Sequence, residues 1–88
     1  MIFNEDIILN IVVSQPEIIK NIKNIDSDLQ LKLVKRNGFV IEYFDNPCLE
    51  VQLEAVRDYG DSIKFIENPC LEVQLEAVKR NGYSIQYI

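Results

Sequence analysis

Two cysteines, fourteen carboxylates and no histidine are what this chain has to do chemistry with. Without an imidazole no Ser/His/Asp or Cys/His relay can be built, and no glycine-rich loop of the kind that cradles phosphate is present. A zinc site would need carboxylates to complete it around Cys48 and Cys70, and nothing in their spacing suggests one. The acids, by contrast, recur. Asp6, Asp28, Glu50 and Glu72 stand 22 positions apart along the chain, an arrangement suited to charge recognition rather than turnover. We therefore expect no catalytic residue, no cofactor and no metal, and take this acidic ladder as a candidate partner-binding strip.

What positions the acids is a repeat. Asn-Pro-Cys-Leu-Glu-Val-Gln-Leu-Glu-Ala-Val occurs unchanged at Asn46 to Val56 and at Asn68 to Val78, and Val34-Lys35-Arg36-Asn37-Gly38 returns as Val78-Lys79-Arg80-Asn81-Gly82. Fainter echoes put Leu9, Ile11, Val12, Ile19 and Ile22 in register with Leu31, Leu33, Val34, Ile41 and Phe44. The 88 residues divide into four units, 2–23, 24–45, 46–67 and 68–88, forming a single domain. The first unit is degenerate, as a capping repeat of a solenoid is.

Composition places the chain among folded proteins. Apolar residues make up 48% and charged residues 26% of the sequence, with a net charge of −5. The acids before the first lysine are wrong for a signal peptide, and no apolar run nears the ~18 residues of a membrane span. A cytoplasmic, soluble protein is expected. Packed helices lie about 8 to 10 Å apart, too far for a disulfide between Cys48 and Cys70, so both are expected as reduced, half-buried structural residues.

Within one unit, Asn46 before Pro47 predicts a helix N-cap and first helical residue. Leu49, Val51, Leu53, Ala55 and Val56 form a broad helical stripe, and Gly60 is expected to end the helix in the left-handed region. The following segment, 62–67, predicts a short helix or 3₁₀ turn. Its β-branched and aromatic residues also suit a strand, which would instead give a horseshoe of parallel strands. The expected fold is all-α: a short right-handed α-solenoid of four helix–turn–short helix repeats.

This layout resembles the leucine-rich variant repeat and related HEAT-like α-solenoids. The Asn-Pro start and the Asn-Gly-Tyr-x-Ile-x-Tyr-Ile ending are also similar to tandem repeats of unknown function in phage and mobile-element proteins. The resemblance implies an all-helical stack that binds something. It carries no catalytic motif.

Each candidate has a plainer account beside it. An acid in the first helical turn favours the helix dipole. Gln30, Gln52 and Gln74 form a second ladder, expected to bond a backbone group or one another at the seam between units. Glu54 and Glu76 are expected to pair with Arg57, Lys79 and Arg80 within their own helices. Phe39, Asp61 and Tyr83, where the copies disagree, and Tyr59 beside them, are candidate partner contacts or else corner packing. Tyr87 and Ile88, in the most regular unit, are candidates for self-association, with either a symmetric homodimer through that unit or docking of that end on a target expected.

The function these features favour is a non-enzymatic protein-binding module whose acidic surface meets a basic protein. A narrower form is a phage or mobile-element inhibitor, resembling anti-CRISPR proteins, that mimics nucleic acid against a host defence enzyme. A self-assembling structural protein is the other alternative. Direct nucleic-acid binding is disfavoured, since acids outnumber bases fourteen to nine and such modules need a basic face.

Overall fold

In the computed structural model, which describes residues 5–22 and 25–88, the chain is a stack of helix pairs. Met1 to Asn4, Lys23 and Asn24 lie outside the described residues, and with them the start of the first unit and part of its joint to the second. The long helices are α1 (Glu5–Ser14), α2 (Ser27–Arg36), α3 (Leu49–Asp58) and α4 (Leu71–Arg80). Each is followed by a 3₁₀ helix: η1 (Pro16–Asn21), η2 (Gly38–Tyr43), η3 (Gly60–Phe65) and η4 (Gly82–Tyr87). Each long helix packs on the next long helix, and each short helix on the next short one. The result is two layers in a body of 41 × 21 × 16 Å. No helix among the described residues is long and apolar enough to cross a membrane.

Among the described residues there is no strand, so the horseshoe alternative is overturned. The reason lies in which residues the segment must bury. In a 3₁₀ helix residues three apart share a side, and Ile63 and Ile66 are both buried. A strand would also carry a row of backbone groups needing ladder partners, whereas here they close locally, Ser62 N–H on Tyr59 O at 2.9 Å and Ile66 N–H on Ile63 O at 3.0 Å.

The helix starts differ from the expectation. Asn46 and Asn68 are not caps but left-handed residues, at φ 48° and 50°. Both precede proline, which disfavours the right-handed helical region, and asparagine is among the few residues that enter the left-handed one cheaply. The chain then turns through Pro47 and Pro69, and the N-caps are Cys48 and Cys70, neither of which makes a side-chain cap bond. Both thiols are free and exposed, not half-buried. In the second unit the same place is held by Asp26, whose carboxylate accepts from Leu29 N–H at 2.9 Å.

The helix ends also differ. The residue after each of the last three long helices, Asn37, Tyr59 and Asn81, is extended, and no glycine has positive φ. Glycine is required for a different reason: a Cβ on Gly38 would lie 2.5 Å from the carbonyl oxygen of Ala55, and one on Gly60 2.7 Å from that of Ala77. The corner of one unit lies directly under the seventh residue of the next unit's helix. Around that contact Leu33, Val34, Val40, Ile41, Val51, Val56, Ile63 and Val73 form the core.

Two stability changes follow, read as the midpoint of thermal unfolding by circular dichroism. Gly60→Ala is expected to destabilise by roughly 1 to 3 kcal/mol, the usual cost of overpacking against an immobile backbone. Cys70→Asp, which copies Asp26, is expected to stabilise by about 1 kcal/mol, or roughly 4 to 8 °C.

Candidate functional site

The candidate residues fall on two edges of the stack. Because every long helix runs the same way through its unit, Asp6, Asp28, Glu50 and Glu72 all occupy the second helical position, and all four are exposed. The ten-residue helices are about 15 Å long, so the corner residues Phe39, Tyr59, Asp61 and Tyr83 lie at the far edge. The two sets are not brought together.

The acidic edge is wider than the ladder alone. Where the short helix of one unit returns toward the next long helix, Glu42, Asp45 and Glu67 line a groove of about 540 Å³ between the second and third units. Its lining includes Phe44, Pro47 and Phe65, and among the described residues no lysine or arginine lines it. Gln52 reaches into the same wall. Its amide donates to Pro47 O at 2.8 Å, as Gln74 does to Pro69 O at 3.0 Å and Gln30 to Ile25 O at 3.4 Å. The glutamine ladder therefore bonds backbone, but in the loop entering its own helix and not across the seam or to the next glutamine. Nearby, the Tyr43 phenol is held above its ordinary range, first by its hydrogen bond with Glu42, then by desolvation and by the charges of Glu42 and Glu17.

Charge pairing lies elsewhere on the long helices. Arg57 bridges Glu54 at 3.3 Å and, across the seam, Glu76 at 3.4 Å, and Arg80 reaches Glu76 at 3.5 Å. The expected pairs within single helices are all formed, Lys79 also lying 3.9 Å from Glu76, and the bridge from Arg57 to the half-buried Glu76 adds a tie between the third unit and the fourth. Among the described residues Glu50 and Glu72 take no part in an ion pair.

At the corner edge Phe39, Tyr59 and Asp61 are taken up in contacts between units, whereas Tyr83 is exposed. Phe39 stacks on Tyr59 with ring centroids 4.6 Å apart and planes 3° from parallel, while Phe65 meets Phe39 edge-on at 6.1 Å. Lys64 sits over both phenylalanine rings, 5.7 and 5.1 Å from their centres. One unit later the same joint is polar. Asp61 accepts from the Asn81 amide at 3.1 Å and from the Ser84 hydroxyl at 3.0 Å. The two joints flank a groove of about 430 Å³ that Arg57, Asp58, Arg80 and Asn81 also line. Tyr83, Tyr87 and Ile88 stand exposed in the fourth unit.

Three features escaped the sequence reading. Asp58 sits at a helix C-terminus, where an acid is disfavoured by the dipole, because its carboxylate accepts from Gly38 N–H of the preceding unit at 2.6 Å. Asn37 and Asn81 cap the short helices, accepting from Phe39 N–H at 3.0 Å and Tyr83 N–H at 3.1 Å. Ser62 is buried with a hydroxyl that finds no hydrogen-bond partner among the described residues. The bond from Ser84 to Asp61 spans 23 residues, and 23 residues before Ser62 stands Phe39, which offers no acceptor. The 22-residue period carried the signal for this mismatch.

Among the described residues no group of three or more Cys, Asp and Glu is placed to hold a metal ion. Compared with family models, with curated proteins and with solved structures, the chain matches none.

The pair of buried serines gives a direct test of the two joint chemistries. Ser62→Ala is expected to be neutral or to stabilise by up to about 1 kcal/mol, since it removes an unsatisfied hydroxyl, whereas Ser84→Ala is expected to cost about 1 kcal/mol by breaking a made bond. Urea unfolding of the two variants side by side measures the difference.

Proposed function

We propose that this chain is a non-enzymatic protein-binding module that takes a basic segment of a partner protein along its acidic edge. The observation that carries the reading is the groove of about 540 Å³ lined by Glu42, Asp45 and Glu67, with no lysine or arginine among the described residues that line it. Beside it Glu50 and Glu72 extend the negative strip on exposed helix starts. An arginine or lysine side chain suits such a groove, its aliphatic stem on Phe44 and Phe65 and its charged head among the carboxylates. The overall charge of −5 adds long-range steering toward a basic partner.

A narrower form of this reading is an acidic inhibitor that occupies the nucleic-acid channel of its target, as an inhibitor from a phage or other mobile element would. The same strip supports it, since a row of carboxylates at repeat spacing presents charge much as a phosphate backbone does. Competition tells the narrow form from the general one.

The test is capture of proteins from a cell extract on the immobilised chain, at low and at high salt, beside a Glu42→Gln/Asp45→Asn/Glu67→Gln variant. We expect the variant to retain at least about tenfold less of any specific partner, about 1.4 kcal/mol of binding, and the wild-type capture to weaken as salt rises. Equal capture by both proteins at both salt concentrations would contradict the reading. Displacement of the partner by DNA or RNA is expected of the nucleic-acid mimic alone.

A further inference from the structure

The forward face of the fourth unit repeats the faces that the second and third units bury. Leu53 is 8% exposed and its counterpart Leu75 56%; Ile63 is 1% exposed and Ile85 65%; Tyr83 is 83% exposed. A Cβ on Gly82 would meet nothing within 4 Å, although Gly38 and Gly60 at the same place are covered by a helix carbonyl. Gly82 is thus shaped for a contact that the four units do not themselves supply.

The chemistry of that contact can be read from the joints already formed. Where the earlier unit has glycine at its corner, the covering helix has alanine: Gly38 lies under Ala55 and Gly60 under Ala77, and both alanines are fully buried. The first joint uses neither residue. Pro16 takes the corner position, and Leu33 the covering one, 22 residues before Ala55. Glycine and alanine therefore come as a pair, because a carbonyl this close to the corner leaves room for only a methyl beside it. The ring of Tyr83 adds a second requirement. Phe39, its counterpart, is covered by the Tyr59 ring of the next unit.

We propose that the fourth unit is a seat for one further repeat unit of defined kind, a helix with alanine at the place of Ala55 and Ala77 and an aromatic residue at the place of Tyr59. The occupant continues the existing stack, its alanine carbonyl over Gly82 and its ring on Tyr83. A second copy of this chain stacked head to tail does not meet the description. Its first unit presents Ile11 where alanine is needed and Gln15 where the ring is needed. A two-fold pairing would meet the fourth unit with its own forward face, which has no alanine of this kind to offer, since Ala77 already covers Gly60 and is fully buried. The seat is separate from the acidic groove between the second and third units, so the two proposals fail independently.

The test extends the full chain beyond Ile88 by one glutamate and then the sequence of residues 46–67. The extended protein is expected to unfold in a single transition at least about 5 °C above the original. Gly82→Ala is expected not to lower the midpoint of the 88-residue chain, yet to lower that of the extended protein by several degrees. Changing the appended alanine to isoleucine is expected to do the same. An appended unit that adds no helical signal overturns the proposal, as does a Gly82→Ala change without effect in both proteins. If the original chain associates at micromolar concentration and Gly82→Ala disperses it, the occupant is a second copy and the proposal is wrong.

Discussion

Everything in this structure depends on how close one corner comes to the next helix. With the Gly38 and Gly60 backbones directly beneath the carbonyls of Ala55 and Ala77, neighbouring units cannot slide or rotate without a clash. That fixed register is what turns a sequence period into spatial rows. It seats Val51 and Val73 in the core, lets Asp58 reach the Gly38 amide, and lets Arg57 meet Glu76 of the following unit. A looser seam would leave the same side chains as separate helices with surface charges worth little.

The register also separates two kinds of work. Corners are occupied with holding the stack together, and they do so with interchangeable chemistry: a stacked aromatic pair at one joint, an aspartate bridging an amide and a hydroxyl at the next. The helix starts carry little of that burden. The caps of α3 and α4 are thiols that make no side-chain cap bond, and the acids in the second helical position are exposed. An edge relieved of structural duty can be selected for recognition, and it is there that carboxylates accumulate.

Much of this was legible in the residues. The period is stated by the sequence itself, and periodic apolar positions at helical spacing leave few alternatives to a helical stack. The short second segment was less so, since Ile63, Phe65 and Ile66 suit a strand as well as a turn, and only the burial of both isoleucines on one side decides it. Asn46 and Gly60 were assigned conventional cap and terminator roles. Neither role is kept in the structure, where asparagine takes the left-handed region and glycine admits a close contact. Local propensity could not reveal this, because a glycine that must admit a neighbouring backbone and one that must adopt positive φ look the same in a sequence. For the site, the ladder of Asp6, Asp28, Glu50 and Glu72 was visible from spacing. Glu42, Asp45 and Glu67 join the same edge only once the return of the short helix is known.

The central claim is that contacts between units, and not local helix preference, hold the structure, and α3 and α4 test it directly. Leu49 to Val56 and Leu71 to Val78 are the same eight residues, so their intrinsic helix propensities are equal. Only α3 is covered on both sides. Native-state amide hydrogen exchange should therefore show α3 protected at least about tenfold more than α4, in keeping with the ~1.5 to 3 kcal/mol that burying one large aliphatic side chain contributes. Equal protection of the two helices would contradict the account.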